Sequence, residues 1–101
     1  MIKIKVSYDD NFINKIVITG HANYDVYGKD IVCASVSASV LTTINGIIAL
    51  DDSILDVCQK SDKMTINILK NEQNSQILLK SMLSNLKTLV IEYPKNIKID
   101  I

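Results

Sequence analysis

The chain opens on strict alternation, with Ile2, Ile4, Val6 and Tyr8 on one face and Lys3, Lys5 and Ser7 on the other. That is the pattern of a strand with one wet face. Asp9, Asp10 and Asn11 supply turn chemistry, and Phe12 to Gly20 resumes a β-branched run in which Ile16 and Ile18 oppose Val17 and Thr19. The two runs predict a hairpin. His21 to Lys29 breaks both periodicities and predicts a loop, with Gly28 as a pivot.

Ile31 to Leu50 carries no charge and is bounded by Asp30 before it and Asp51 and Asp52 after it. Ser35 to Val40 alternates as a strand would, but the length of the run decides for a helix. Cys33, Val36, Val40, Leu41, Ile44, Ile47 and Ile48 follow helical spacing, and no turn residue interrupts before Asn45 and Gly46. Length alone would permit a membrane span. The polar residues Ser35, Ser37, Ser39, Thr42, Thr43 and Asn45, with acidic rather than basic flanks, argue instead for a helix buried inside protein.

Ile54 to Gln59 and Met64 to Leu69 predict a second hairpin around Lys60 to Lys63, with Cys58 read as a packing residue in it. From Gln73 to Ile91 the apolar positions Ile77, Leu78, Met82, Leu86, Leu89 and Val90 recur at three to four, with Lys80, Ser84 and Lys87 opposite. This predicts an amphipathic helix, stopped by Tyr93 and Pro94. Ile97, Ile99 and Ile101 then alternate with Lys98 and Asp100 as a last strand.

The order is therefore ββαββαβ, an α+β fold in which two helices pack with a β-sheet, in a single domain over residues 1–101. A helix apolar on most sides should be central and largely buried. Pairing with a second copy of the chain is the simplest way to cover whatever the sheet leaves open.

Composition narrows the function. With 48% hydrophobic and 22% charged residues the chain is an ordinary core former, and disorder is excluded. Eleven positive residues, all Lys, balance eleven acidic ones. Scattered single lysines without Arg are poor phosphate and base readers, so no direct nucleic-acid contact and no membrane association are expected. No leader precedes the first strand, which points to a cytoplasmic protein with reduced thiols.

Chemistry concentrates around Cys33. If Asp30 is the N-cap, Cys33 is the third residue of the helix, where unpaired N–H groups and the helix dipole favour a sulfur anion. The bland reading is a small buried hydrophobe. His21, the one histidine, stands at the end of the second strand, and the loop can double back to bring it to Cys33 as nucleophile and base. Asp30 either only caps the helix or also orients the imidazole. Ser37, one turn beyond Cys33, lies on the same face and either bonds near the thiol or fills space. Tyr24, Tyr27 and Gly28 form a candidate substrate loop, the alternative being ordinary loop aromatics.

Gly20-His21-Ala22, Tyr24, Tyr27-Gly28-Lys29-Asp30-Ile31-Val32-Cys33-Ala34 and Val36-Ser37 resemble the signature of the ribosomal-processing cysteine protease Prp family. Ser35 departs from the usual Ala or Gly. The resemblance implies a bacterial cytosolic thiol protease, a hydrolase serving ribosome biogenesis. Its substrate would be the precursor of the twenty-seventh protein of the large ribosomal subunit, from which it removes an N-terminal extension. It also implies a homodimer, Cys33 as nucleophile, His21 as base, a mobile loop over Ala22 to Lys29, and no metal or cofactor. We place the oxyanion donors at the Cys33 and Ala34 amides. Two rival readings share the residues: a non-catalytic ribosome-associated protein-binding module, and a cysteine-dependent enzyme acting on small thioesters.

Overall fold

The computed structural model describes residues 1–26 and 29–101. In chain order the elements are β1 (Ile2–Asp9), β2 (Phe12–Thr19), α1 (Ile31–Leu50), β3 (Leu55–Lys60), β4 (Lys63–Ile68), α2 (Gln73–Glu92) and β5 (Ile97–Asp100). The predicted order and fold class hold. The strands form one mixed sheet in the order β3-β4-β2-β1-β5, with β1 and β5 parallel and the other neighbours antiparallel.

Both hairpins turn on a residue with left-handed backbone, Asp10 (φ 55°) and Ser61 (φ 52°). Short polar side chains accept that conformation more readily than branched ones. Alternation in β1 buries Ile2, Ile4 and Val6, while Tyr8 at the strand end stays exposed. In β2 the register slips between Ser7 and Tyr8 of the partner strand, leaving Asn14 as the extra residue. A bulge of this kind flips the alternation. Ile13 and Ile16, an odd number of residues apart, are therefore both fully buried.

Beyond the bulge β4 has ended, since its pairing with β2 stops at Lys15. Gln76 of α2 takes its place: the buried side chain accepts from Ile13 N and donates to Ile13 O, each at 2.9 Å. A buried amide with both ends satisfied completes the ladder that the strand could not.

Helix α1 is central and packs against the sheet and α2. Val32, Val36, Val40, Ile44 and Ile47 form its buried stripe, so burial follows one side of the helix rather than its whole circumference. Leu41 (49% exposed) and Ile48 (46%) face outward. Among the described residues α1 is the one helix long and apolar enough to cross a membrane by length and composition, with mean hydropathy 1.8.

Two expectations fail at the level of faces. Ile77 of α2 is 57% exposed; Met82 and Leu86 are buried as expected, and Leu79 and Leu83 join them in place of Ile77. The run Ile77-Leu78-Leu79 is apolar at three successive positions, and only the sheet chooses among them. Cys58 is exposed rather than packed. It pairs with Thr65 on the outer face of the edge strand β3, one residue out of phase with the buried Ile66 and its partner Val57.

Candidate active site

The site forms where β2 ends, the following loop begins, and α1 starts. Gly20 lies between β2 and His21 with φ +84°, a conformation that side chains disfavour. A Cβ there would also collide with the Met1 carbonyl oxygen. Gly20 N donates to Asp62 O at 3.2 Å, which ties the strand end to the β3–β4 hairpin. His21 therefore leaves the sheet in a fixed direction, with its own side chain exposed.

Asn23 (φ 55°) is left-handed as well, and turns the chain back toward α1. There Asp30 receives it. One carboxylate oxygen, Oδ1, accepts from Val32 N and Cys33 N, both at 3.0 Å, and caps the helix. The other, Oδ2, accepts from Tyr24 N at 2.9 Å and Asp25 N at 3.4 Å. Desolvation pushes this carboxyl up, but the N–H groups of Cys33, Tyr24, Asp25 and Val32 outweigh it and hold it below its ordinary value. Among the described residues these backbone amides are its partners, and the His21 ring is not one of them.

Cys33 is the third residue of α1, half-buried, and its Sγ accepts from Ala22 N at 3.3 Å. The loop residue that follows His21 therefore touches the thiol. His21, Cys33, Ser37 and Asp30 border one groove of about 820 Å³, whose lining also includes Ile18, Met64, Gln59, Ser61 and Asp62. A second cleft of about 720 Å³ at the other end, around Asp9, Asp10 and Lys80, holds neither cysteine nor histidine.

The oxyanion donors expected at the helix start are already engaged. Cys33 N is bonded to Asp30 Oδ1, and Ala34 N to Asp30 O at 3.1 Å. A capped helix turn turns these N–H groups back on its own cap, so they are not aimed into the groove. Tyr24 stacks edge-on against Tyr93, with ring centroids 5.4 Å apart and planes at 81°. Tyr27 and Gly28, the other expected loop residues, lie outside the described residues. Sequence reasoning missed Asn96, whose Nδ2 donates to Ala22 O at 2.8 Å. Seventy-four positions separate the pair, and no local pattern marks it.

Comparison with known proteins agrees with this geometry. The family model described as cysteine protease Prp matches residues 1–98. The ribosomal processing cysteine protease Prp of Staphylococcus aureus is 32% identical over 95 residues, covering 91% of this chain and 90% of the relative. That of Bacillus subtilis is 28% identical over 103 residues, covering 95% and 91%. The crystal structure of the S. aureus protease with a covalently linked product peptide superimposes with a TM-score of 0.93 at 31% identity, over 99% of this chain and 98% of the other. Its complex with a substrate peptide gives 0.86 at 30% identity over the same shares. With the family model matching residues 1–98 and the S. aureus relative 32% identical over nine-tenths of both chains, the chain belongs to the Prp family of cysteine proteases.

Proposed function

We propose that this chain is a cytoplasmic endopeptidase that removes the N-terminal extension of the twenty-seventh protein of the large ribosomal subunit, with Cys33 as nucleophile and His21 as its base. The observation that carries the reading is the shared groove, in which Cys33 and His21 border the same space. Relatives described as ribosomal processing proteases, solved with a substrate peptide and with a covalently linked product, support it.

The steps follow from the groups present. The Cys33 thiolate forms a bond to the scissile carbonyl carbon, and the carbonyl π pair moves onto oxygen. Collapse of that adduct breaks the C–N bond, and protonated His21 hands its proton to the departing amine. Neutral His21 then takes a proton from water, whose oxygen attacks the thioester and returns the sulfur as leaving group. Asp30 holds the helix start and the loop in register, Ser37 lines the same groove as Cys33, and the loop carrying Tyr24 is the part of this reading that would meet substrate.

A homodimer belongs to the same reading. Ala38, Asn45 and Ile48 are exposed and uncharged on the side of α1 away from its buried one, outside the groove, and a second copy would cover them. Sedimentation of the chain gives a dimer mass if this holds and a monomer mass if it fails.

The deciding experiment incubates the extended ribosomal precursor with the chain and measures product masses. Cleavage at one junction, abolished by Cys33→Ala, is expected. Precursor that stays intact while remaining bound would favour the protein-binding module, and turnover of a small thioester alone would favour the acyl-transfer reading.

A further inference from the structure

Ala22 is held at both of its backbone groups. Its carbonyl accepts from Asn96 Nδ2 at 2.8 Å, and its N–H points at Cys33 Sγ at 3.3 Å. Asn96 is itself anchored through its main chain, donating to Tyr93 O at 3.0 Å and accepting from Ile2 N at 2.8 Å. The connection between α2 and β5 thus grips the loop in two places, through Asn96 on Ala22 and through Tyr93 on Tyr24. Ala22 is fully buried and Asn96 half-buried, so the grip is partly withdrawn from water.

A cysteine protease needs a donor for the oxygen that becomes negative beside its sulfur. The Cys33 and Ala34 amides are bonded to Asp30. Among the described residues the Ala22 N–H, by contrast, has a sulfur as its partner, a weak acceptor that a charged oxygen would displace. In the adduct, the negative oxygen lies one carbon away from Sγ, within the reach of a donor already directed at that sulfur.

Building on Cys33 as nucleophile, we propose that the Ala22 N–H is the backbone donor to the oxyanion and that Asn96 is the positioning residue that aims it. When Sγ bonds to the carbonyl carbon and the π pair moves to oxygen, the Ala22 N–H transfers its hydrogen bond from sulfur to that oxygen. Asn96 never touches substrate. Its side chain stops the Ala22 peptide from rotating away when the loop admits the chain to be cut.

The test uses Asn96→Ala and Asn96→Asp in a Cys58→Ser background, at a temperature where circular dichroism shows both folded. The substrate is a peptide spanning the precursor junction, with the matching peptide aldehyde and peptide alcohol as probes. Addition of the Cys33 thiol to the aldehyde forms the S–C bond, converts C=O to a single bond and leaves the oxygen where the oxyanion sits. The alcohol cannot add.

We expect kcat to fall by about 10- to 100-fold with KM within about threefold, because one donor is misaimed and not deleted. The aldehyde's advantage over the alcohol should fall by the same factor. Iodoacetamide alkylation of Cys33, a displacement that builds no oxyanion, should stay within about threefold of the unsubstituted rate. Unchanged kcat, or kcat and alkylation falling together with the aldehyde preference intact, would overturn the proposal. A measurement without substitution stands beside it: in the native chain the Ala22 amide proton resonance should move downfield with the aldehyde and not with the alcohol. A shift no larger than that of neighbouring amides also overturns it. If instead Cys33→Ala keeps the aldehyde preference, the nucleophile assignment has failed, and the oxyanion proposal built on it is overturned with it.

Discussion

The two helices begin alike and end up doing different work. Each runs 20 residues from an acidic N-cap whose side chain accepts from two backbone amides, Asp30 from Val32 and Cys33, Glu72 from Asn74 and Ser75. Each has a hydroxyl- or thiol-bearing residue third in the helix. At α2 that residue is Ser75, fully buried, its Oγ donating to Glu72 O at 2.8 Å. Both Glu72 oxygens serve its own helix. At α1 the thiol of Cys33 borders a groove with His21, and Asp30 uses its second oxygen to hold the incoming loop. A capped helix start with a nucleophilic side chain is therefore not in itself a site. Under the proposed function, what converts it is space on one side and a carboxylate that reaches beyond its own helix.

Truncating each of the two third residues to Ala gives the largest contrast. Cys33→Ala should abolish precursor cleavage, by about 1,000-fold or more. Ser75→Ala should leave cleavage within about twofold and cost roughly 1 kcal/mol of stability in urea unfolding, since one buried hydroxyl bond is lost. Cleavage that survives the first change, or disappears with the second at full folding, breaks the contrast.

The caps come next. Asp30→Ala frees the loop amides as well as the helix start, so kcat/KM should fall by about 10-fold or more, with a lower melting temperature. Glu72→Ala should lower the melting temperature and spare kcat/KM. Equal kinetic effects would show that the Asp30 clamp on the loop has no bearing on turnover.

Gly20→Ala sharpens the same point on the strand side. The added Cβ meets the Met1 carbonyl and demands a disfavoured φ, so the segment bearing His21 must shift. Loss of cleavage should exceed the loss of stability, as read by comparing kcat/KM with the urea midpoint.

The smallest effect is on pH. Backbone hydrogen bonds from Ser75 and Asn74 hold the Glu72 carboxyl below its ordinary 4.5, and the four loop and helix amides outweigh desolvation to hold Asp30 below 3.8. A carboxyl depressed in the folded chain releases its proton more readily there than when unfolded. Its contribution is present above the unfolded value and disappears as pH falls through the folded one. The melting temperature should therefore drop between about pH 5 and about pH 2, and Asp30→Asn or Glu72→Gln should each flatten that drop. A slope unaltered by both changes would sever the caps from acid stability.

Much of this fold was legible from period and punctuation. Ile2, Ile4 and Val6 alternate as a half-buried strand must, Asp30 announces α1, and Asp10 and Ser61 are residue types that tolerate the turns they make. The errors lie where pattern leaves a choice. Ile77, Leu78 and Leu79 are equally apolar, so the face of α2 waited on the sheet. Cys58 was in fact readable: it shares its side of β3 with Asp56 and Lys60, and that side is wet. The bulge at Asn14 was not readable, because both registers present branched residues to the core. At the site, loop length allows His21 to return to Cys33 and spacing marks Asp30 as the cap, while the contact of Ala22 with the thiol leaves no such trace. The unavailability of the Cys33 and Ala34 amides could not be foreseen, since it depends on where a cap directs them.

The sequence by itself determined the elements, their order and the residue types capable of thiol chemistry, because those follow from periodicities and side-chain character within a few neighbours. Tertiary structure alone decided which N–H faces the sulfur, and that Asn96 and Tyr93, near the other end of the chain, grip the loop. Hydrogen bonds of that kind join residues whose separation along the chain leaves no periodic trace, and only the packing of β5 beside β1 brings them within reach.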